Sequence, residues 1–171
     1  MSNLRQAAGW RRRCISLVLS LLAGGAWASA QAAASGTDGQ QIVRAGSQAS
    51  IAGSGDHFTG QVSVVPLFPA DAALPAASAY VTFQAGAHSA WHSHPKGQRL
   101  VVISGTGLTQ EWGKPVQTIG PGDVVWCPPG VKHWHGAAPG GAMTHLAVTG
   151  VADGSSVQWM ERVSDAHYRA H

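Results

Sequence analysis

From residue 60 to residue 150, glycine and proline interrupt the chain so often that no long helical period can develop. The interruptions are GTG (105–107), GKP (113–115), GPGD (120–123), PPG (128–130) and PGG (139–141). Between them lie short runs rich in β-branched and aromatic residues: QVSVVPLF (61–68), AYVTFQ (79–84), RLVVIS (99–104), GLTQEW (107–112), DVVWC (123–127) and MTHLAVTG (143–150). Short strands at this spacing predict an all-β sandwich or closed barrel. A short helical turn is expected only near Met160–Tyr168. The strand bounds expected are roughly 79–85, 98–104, 124–127 and 142–149. GTG suits a tight turn in which Gly105 and Gly107 take positive φ.

Histidine placement carries the functional signal. His92 and His94 stand two apart in AWHSHPKGQRL (90–100), and His133 and His135 repeat that spacing in VKHWHG (131–136). In extended chain, residues i and i+2 share a face. Each pair can therefore point the same way, and His145 lies in phase with Ala147 and Thr149 on a later strand. One pair alone would pass for ordinary surface or core histidines. Two pairs and a phased fifth histidine point to a metal site inside a barrel, with Gln98 returning toward it from the start of the next strand.

The same segment carries a family resemblance. Gly86, five residues, His92-Ser93-His94, three residues, Gln98, six residues and Gly105 resemble the first cupin motif. Gly122, five residues, Pro128-Pro129-Gly130, two residues and His133 resemble the second, sixteen residues on. The motif core spans 86–137. Two positions depart from the pattern: Gln98 stands where the family usually has Glu, and Ala137 where it usually has Asn. With FTGQVSVVPLF (58–68) upstream, the likeness extends over about 56–150 and is similar to the small bacterial cupins that include manganese-dependent hydroxynitrile lyases. The resemblance implies a jelly-roll barrel and one divalent ion, manganese in that group. It implies His92, His94, Gln98 and His133 as ligands, with His135 and His145 as further active-site histidines that move protons.

Gln98 is the informative departure. A glutamate would cancel one unit of the ion's charge, whereas an amide oxygen leaves a stronger Lewis acid. The donor types suit Mn, Fe, Co, Ni or Zn and do not choose among them. Trp91, Trp126 and Trp134 are candidates for the apolar walls of an aromatic substrate site. Three functions remain open: a metal-dependent lyase acting on the C–C bond of cyanohydrins, a metal-dependent dioxygenase, and a non-catalytic cupin that binds a small ligand. The titratable pair His135 and His145 argues against mere binding.

The ends of the chain set location and partners. Arg11–Arg13, the apolar run Ile15–Ala23 and Ala28-Ser29-Ala30 predict a signal peptide over 1–30, and hence a periplasmic or secreted protein. The apolar run is too short to span a bilayer, which takes about 20 residues. Residues 31–40, QAAASGTDGQ, read as a flexible lead-in to a single domain over 41–171. Without residues 1–30 the chain has seven basic and eight acidic residues, with no basic block for nucleic acid. Cys14 leaves with the signal, so Cys127 has no internal partner and reads as a buried, inert thiol. A homo-oligomer, dimer or tetramer, is expected, with the stretch 41–68 pairing with the sheet edge of a neighbouring subunit.

Overall fold

A computed structural model describes residues 39–170. The expected signal segment with Cys14, and most of the lead-in, lie outside the described residues. The chain divides at Gln41, and Ile42–His171 forms one compact unit. Its strands are β1 (Ile51–Ala52), β2 (Phe58–Thr59), β3 (Val62–Phe68), β4 (Ala76–Phe83), β5 (His88–Ser89), β6 (His92–Ser93) and β7 (Gln98–Ser104). They continue with β8 (Gly107–Glu111), β9 (Gln117–Ile119), β10 (Val124–Cys127), β11 (His133–Ala137), β12 (Met143–Gly150) and β13 (Gln158–Trp159). One helical turn follows, α1 (Asp165–Tyr168), capped by the Ser164 side chain, which accepts from the His167 N–H. No helix among the described residues is long and apolar enough to cross a membrane.

The strands build two sheets. One has the order β1-β3-β4-β12-β7-β10. The other has the order β13-β6-β11-β5-β2, with β8 pairing β11 and β9. The pairings within both sheets are antiparallel, as short connections between successive strands permit. Strand β7 shows how the pleat sorts the sequence: Gln98, Leu100 and Val102 are buried while Arg99 and Ile103 are exposed. Val62, Val81, Phe83, Val102, Ala137 and Met143 form the core between the sheets. Strand β3 is already paired with β4, and β1 covers part of its other edge. Beyond Ser63 and Val64 the outer edge of β3 has no partner strand among the described residues, so it stays open to the pairing expected of the stretch 41–68.

A second apolar cluster lies behind the seven-stranded sheet and explains why all five residues of β11 are buried. His133 and His135 face the barrel interior. Trp134 faces the opposite way and packs with Trp91, Leu108, Val163 and Tyr168. Its indole N–H donates to Gln110 Oε1 at 2.8 Å, so the buried ring leaves no polar atom unpaired.

The two glycines of GTG have different reasons. Gly105 has φ +78°, and a Cβ there would sit 1.9 Å from the Ala142 carbonyl oxygen. Gly107 does not have positive φ. It is a strand residue, where a Cβ would crowd Met143, Ile119 and the Gly136 carbonyl. Gly105→Ala is expected to cost about 2–4 kcal/mol, because the left-handed backbone and the backbone clash add. Urea unfolding against the parent protein measures it, and a loss below about 0.5 kcal/mol would contradict this account.

Candidate metal centre and active site

His92 and His133 stand on paired strands, His94 just after β6, and His145 on β12 of the other sheet. His92 on β6 is the cross-strand partner of His133 on β11, and Trp159 on β13 is the partner of His92 on the other side. The His92 and His133 ring centroids lie 4.3 Å apart, and His94 is 5.0 Å from His92. His92, His94, His133, His135 and His145 are all buried.

Backbone carbonyls set the tautomers. The Nδ1–H of His92 donates to Ala90 O at 2.9 Å, that of His133 to Val131 O at 2.9 Å, and that of His94 to Ser156 O at 2.6 Å. A ring that donates from Nδ1 presents its lone pair at Nε2. Ser156 reaches His94 because Asp153 (φ +50°) and Gly154 (φ +75°) form a tight turn closed by an Ala152–Ser155 bridge. That turn folds the chain back toward the barrel after β12.

Gln98 is oriented by register. Thr149 on β12 is its cross-strand partner, and Gln98 Nε2 donates to Thr149 Oγ1 at 2.9 Å. The amide oxygen is thereby turned away from Thr149. Gln98 Oε1, His94 Nε2 and His133 Nε2 are buried without a hydrogen-bond partner, as are His135 Nε2 and His145 Nδ1. Buried polar atoms are rarely left in this state, and several converging lone pairs form a site for a cation.

His92, His133 and His135 offer ligand nitrogens that all lie within 4.8 Å of one another, a group that can hold a metal ion. His94 and the Gln98 oxygen extend this set. The family resemblance implies a His135 outside the ligands. The structure places it against them, with its ring 5.1 Å from that of His92. On its other side His135 Nδ1 meets His145 Nε2 at 3.2 Å, so the two rings share one proton between them. All the donors are neutral nitrogen or amide oxygen, which fits a divalent ion of the first transition row.

Burial keeps the cluster uncharged. It pushes His133 and His145 down to about 4, and holds His92 and His135 well below the ordinary histidine range. Neighbouring histidines deepen the effect on His92 and His135, because two charged rings repel. His94 is lowered for the same first reason, burial. The lone pairs are thus free at neutral pH.

A cavity of about 300 Å³ opens onto His92, His94, Gln98, His135 and His145. Phe58, Val64, Val81 and Trp159 wall it. Trp91, Trp126 and Trp134, the walls expected from the sequence, are not among them. Trp91 and Trp134 lie in the cluster behind the second sheet, and Trp126 is on the outer surface under the Arg99 guanidinium. Trp159 stacks on His57 at 4.5 Å and meets Phe58 edge-on. The strand run QVSVVPLF (61–68) begins three residues after Phe58, and nothing in QWM (158–160) marks Trp159 as a neighbour of His92. Cys127 is buried and its thiol is pushed up to about 12 by burial, which makes it inert.

Residues 79–149 match the cupin domain, and the chain is 55% identical over 129 residues to an (R)-mandelonitrile lyase of Granulicella tundricola. The protein is a cupin. That alignment covers 75% of this chain and 98% of the lyase. Among solved cupins, a cupin-like protein from Thermotoga maritima is 39% identical, with a TM-score of 0.65 over 76% of this chain and 96% of that one. A cupin 2 conserved barrel domain protein from Rhodopseudomonas palustris shares the fold at 23% identity and a TM-score of 0.56, over 66% of this chain and 77% of that one. The two sheets are therefore a cupin jelly roll, and the histidine cluster occupies its interior.

Proposed function

We propose that this cupin is an exported, metal-dependent lyase that cleaves or forms the C–C bond of cyanohydrins. The reading puts one divalent ion, manganese first among the candidates, on His92, His94, Gln98 and His133. The observation that carries it is the set of buried, partnerless atoms, His94 Nε2, Gln98 Oε1 and His133 Nε2, beside an equally partnerless histidine pair. The relative named as a mandelonitrile lyase supports the substrate class.

A divalent ion held by these neutral donors supplies a Lewis acid of undiminished charge. The chain's own residues do the rest. Phe58 and Trp159 hold an apolar substituent and exclude water from the cavity. His135 Nε2 takes the hydroxyl proton as the C–C bond breaks, leaving an aldehyde and cyanide. A buried imidazole of low pKa readily returns that proton to cyanide, a stronger base, so hydrogen cyanide leaves and the histidine is neutral again. His145 holds the His135 ring through the Nε2–Nδ1 contact.

Cyanide release from mandelonitrile by the metal-loaded protein tests the reading. His135→Ala is expected to keep its metal and lose about 10²–10⁴-fold in rate, the usual worth of acid–base transfer, and His145→Ala, which frees the same ring, to lose less. Gln98→Glu is expected to keep metal at least as tightly and turn over more slowly, because added negative charge weakens the Lewis acid. No cyanide release, with oxygen uptake on an electron-rich substrate, would move the assignment to the dioxygenase.

A further inference from the structure

The cavity that opens onto the histidines adjoins a second one, of about 510 Å³. Both are lined by Ala79, Ala147, Thr149 and Ser156, so the two spaces meet at these residues. Strand register builds that neck. Ala79 is the cross-strand partner of Ala147, and Ala77 of Thr149, in the pairing of β4 with β12. Two alanines leave room there that longer side chains would close. The other two neck residues hold donors of the metal centre: Thr149 Oγ1 accepts from the Gln98 amide, and Ser156 O from His94 Nδ1. Beyond the neck, Pro66, Leu67, Phe68 and Ala77 form apolar walls. None of the described residues lining this outer space is charged. Its further polar side chains are paired within the protein, Ser78 Oγ donating to Ala147 O at 2.8 Å and Gln48 Nε2 to Leu67 O at 3.1 Å.

We propose that the outer cavity is a distal subsite of the active site, and that it takes a second apolar ring carried by the substrate. The proposal rests on the lyase reading for the reacting end of that substrate. Volume favours it. The inner cavity, about 300 Å³, stands at the lower end of small-ligand sites, which span about 300–1,000 Å³, and suits a single substituted ring. The outer one offers more space than that again. Chemistry narrows the occupant. An uncharged lining gives an anion no counter-charge, and polar side chains that already have partners leave a sugar few hydrogen bonds. Continuity then selects the substrate itself, because the outer space joins the inner one beside the residues that orient Gln98 and His94. The class of substrate is an aryl cyanohydrin, or its aldehyde, with a second ring on a flexible linker. Binding of that ring is the same before and during bond cleavage, so it lowers KM and leaves kcat nearly unaltered.

Calorimetric titration of the metal-loaded protein with para-benzyloxybenzyl alcohol and with benzyl alcohol tests the subsite without any turnover. The longer alcohol is expected to bind at least about 10-fold more tightly. Among cyanohydrins, the para-benzyloxy derivative should show a KM lower than that of mandelonitrile by a similar factor, at comparable kcat. Phe68→Asp puts a charge on the outer wall, and Ala77→Trp fills the space beyond the neck. Each is expected to abolish the preference for the longer alcohol. Phe68 is 39% exposed, so its substitution keeps the test decisive if Ala77→Trp fails to fold. Equal affinity of the parent for the two alcohols would overturn the proposal, as would an undiminished preference in folded Phe68→Asp protein. A preference for the longer alcohol without cyanide release from either cyanohydrin would support the subsite and remove the lyase reading.

Discussion

Purified His94→Ala protein is expected to carry almost no divalent metal, while His135→Ala protein keeps it. This pair of variants decides between the two donor sets that the geometry allows. His94 has its Nδ1 tied to Ser156 O and its Nε2 buried without a partner, the arrangement of a ligand fixed by an outer hydrogen bond. Removing such an outer bond alone costs about 10–100-fold in metal affinity, so removing the ligand itself costs more. His135 also has a partnerless Nε2, but its Nδ1 is held at 3.2 Å by the His145 side chain rather than by a backbone carbonyl, which is why both sets stay open. The measurement is elemental analysis after dialysis, with cyanide release as a second readout. Metal lost from His135→Ala and kept by His94→Ala would make His92, His133 and His135 the ligands instead. His133→Ala should lose metal under either assignment, which makes it the positive control. Full lyase activity in both His135→Ala and His145→Ala would remove proton transfer from their roles.

The metal-free protein is expected to be acid-labile well above the pH at which carboxylates titrate. Burial lowers His133 and His145 to about 4, from 6.5 in an unfolded chain. Between these values the unfolded state binds protons that the folded state refuses, so stability falls as pH falls. The contribution is fully present above about pH 6.5 and is lost progressively down to about pH 4. Each of the two shifts is worth on the order of 3 kcal/mol, and His92 and His135 are shifted in the same direction. The His133 and His145 shifts together remove about 6 kcal/mol, a large part of the roughly 5–15 kcal/mol typical of a domain. Urea unfolding of the metal-free protein at pH 7, 5.5 and 4.5 measures it. Bound metal competes with protons for the same lone pairs, so the loaded protein should hold its stability to lower pH and then release metal as it unfolds. A metal-free protein equally stable at pH 7 and 4.5 would show that the cluster is more open to solvent than its burial indicates.

What the sequence determined was set by local rules. Glycine and proline spacing excluded long helices, and the period of two placed His92 with His94 and His133 with His135 on shared faces. GTG marked a turn, but its spacing could not tell Gly105, which takes positive φ, from Gly107, which does not. Alternation placed His145 in phase with Ala147 and Thr149, but the registers among β4, β7 and β12, with their irregularity at Thr144/His145, were not legible.

The tertiary structure decided everything that depends on which distant strands meet. Alternation turns both His133 and His135 inward, but it cannot say which approaches His92. That was settled by the pairing of β6 with β11 and by the contact of His135 with His145. Trp91 and Trp134 lie next to functional histidines in sequence and for that very reason face away from the cavity, since neighbours in a strand point to opposite faces. The walls come from Phe58 and Trp159, about a hundred residues apart, brought together by strands of only two residues that leave almost no periodic signal. Gln98 was conspicuous in the sequence as a missing carboxylate, yet the direction of its amide was fixed only by Thr149 across the sheet. Residue type and spacing thus specify which donors exist, and strand pairing specifies where their lone pairs point.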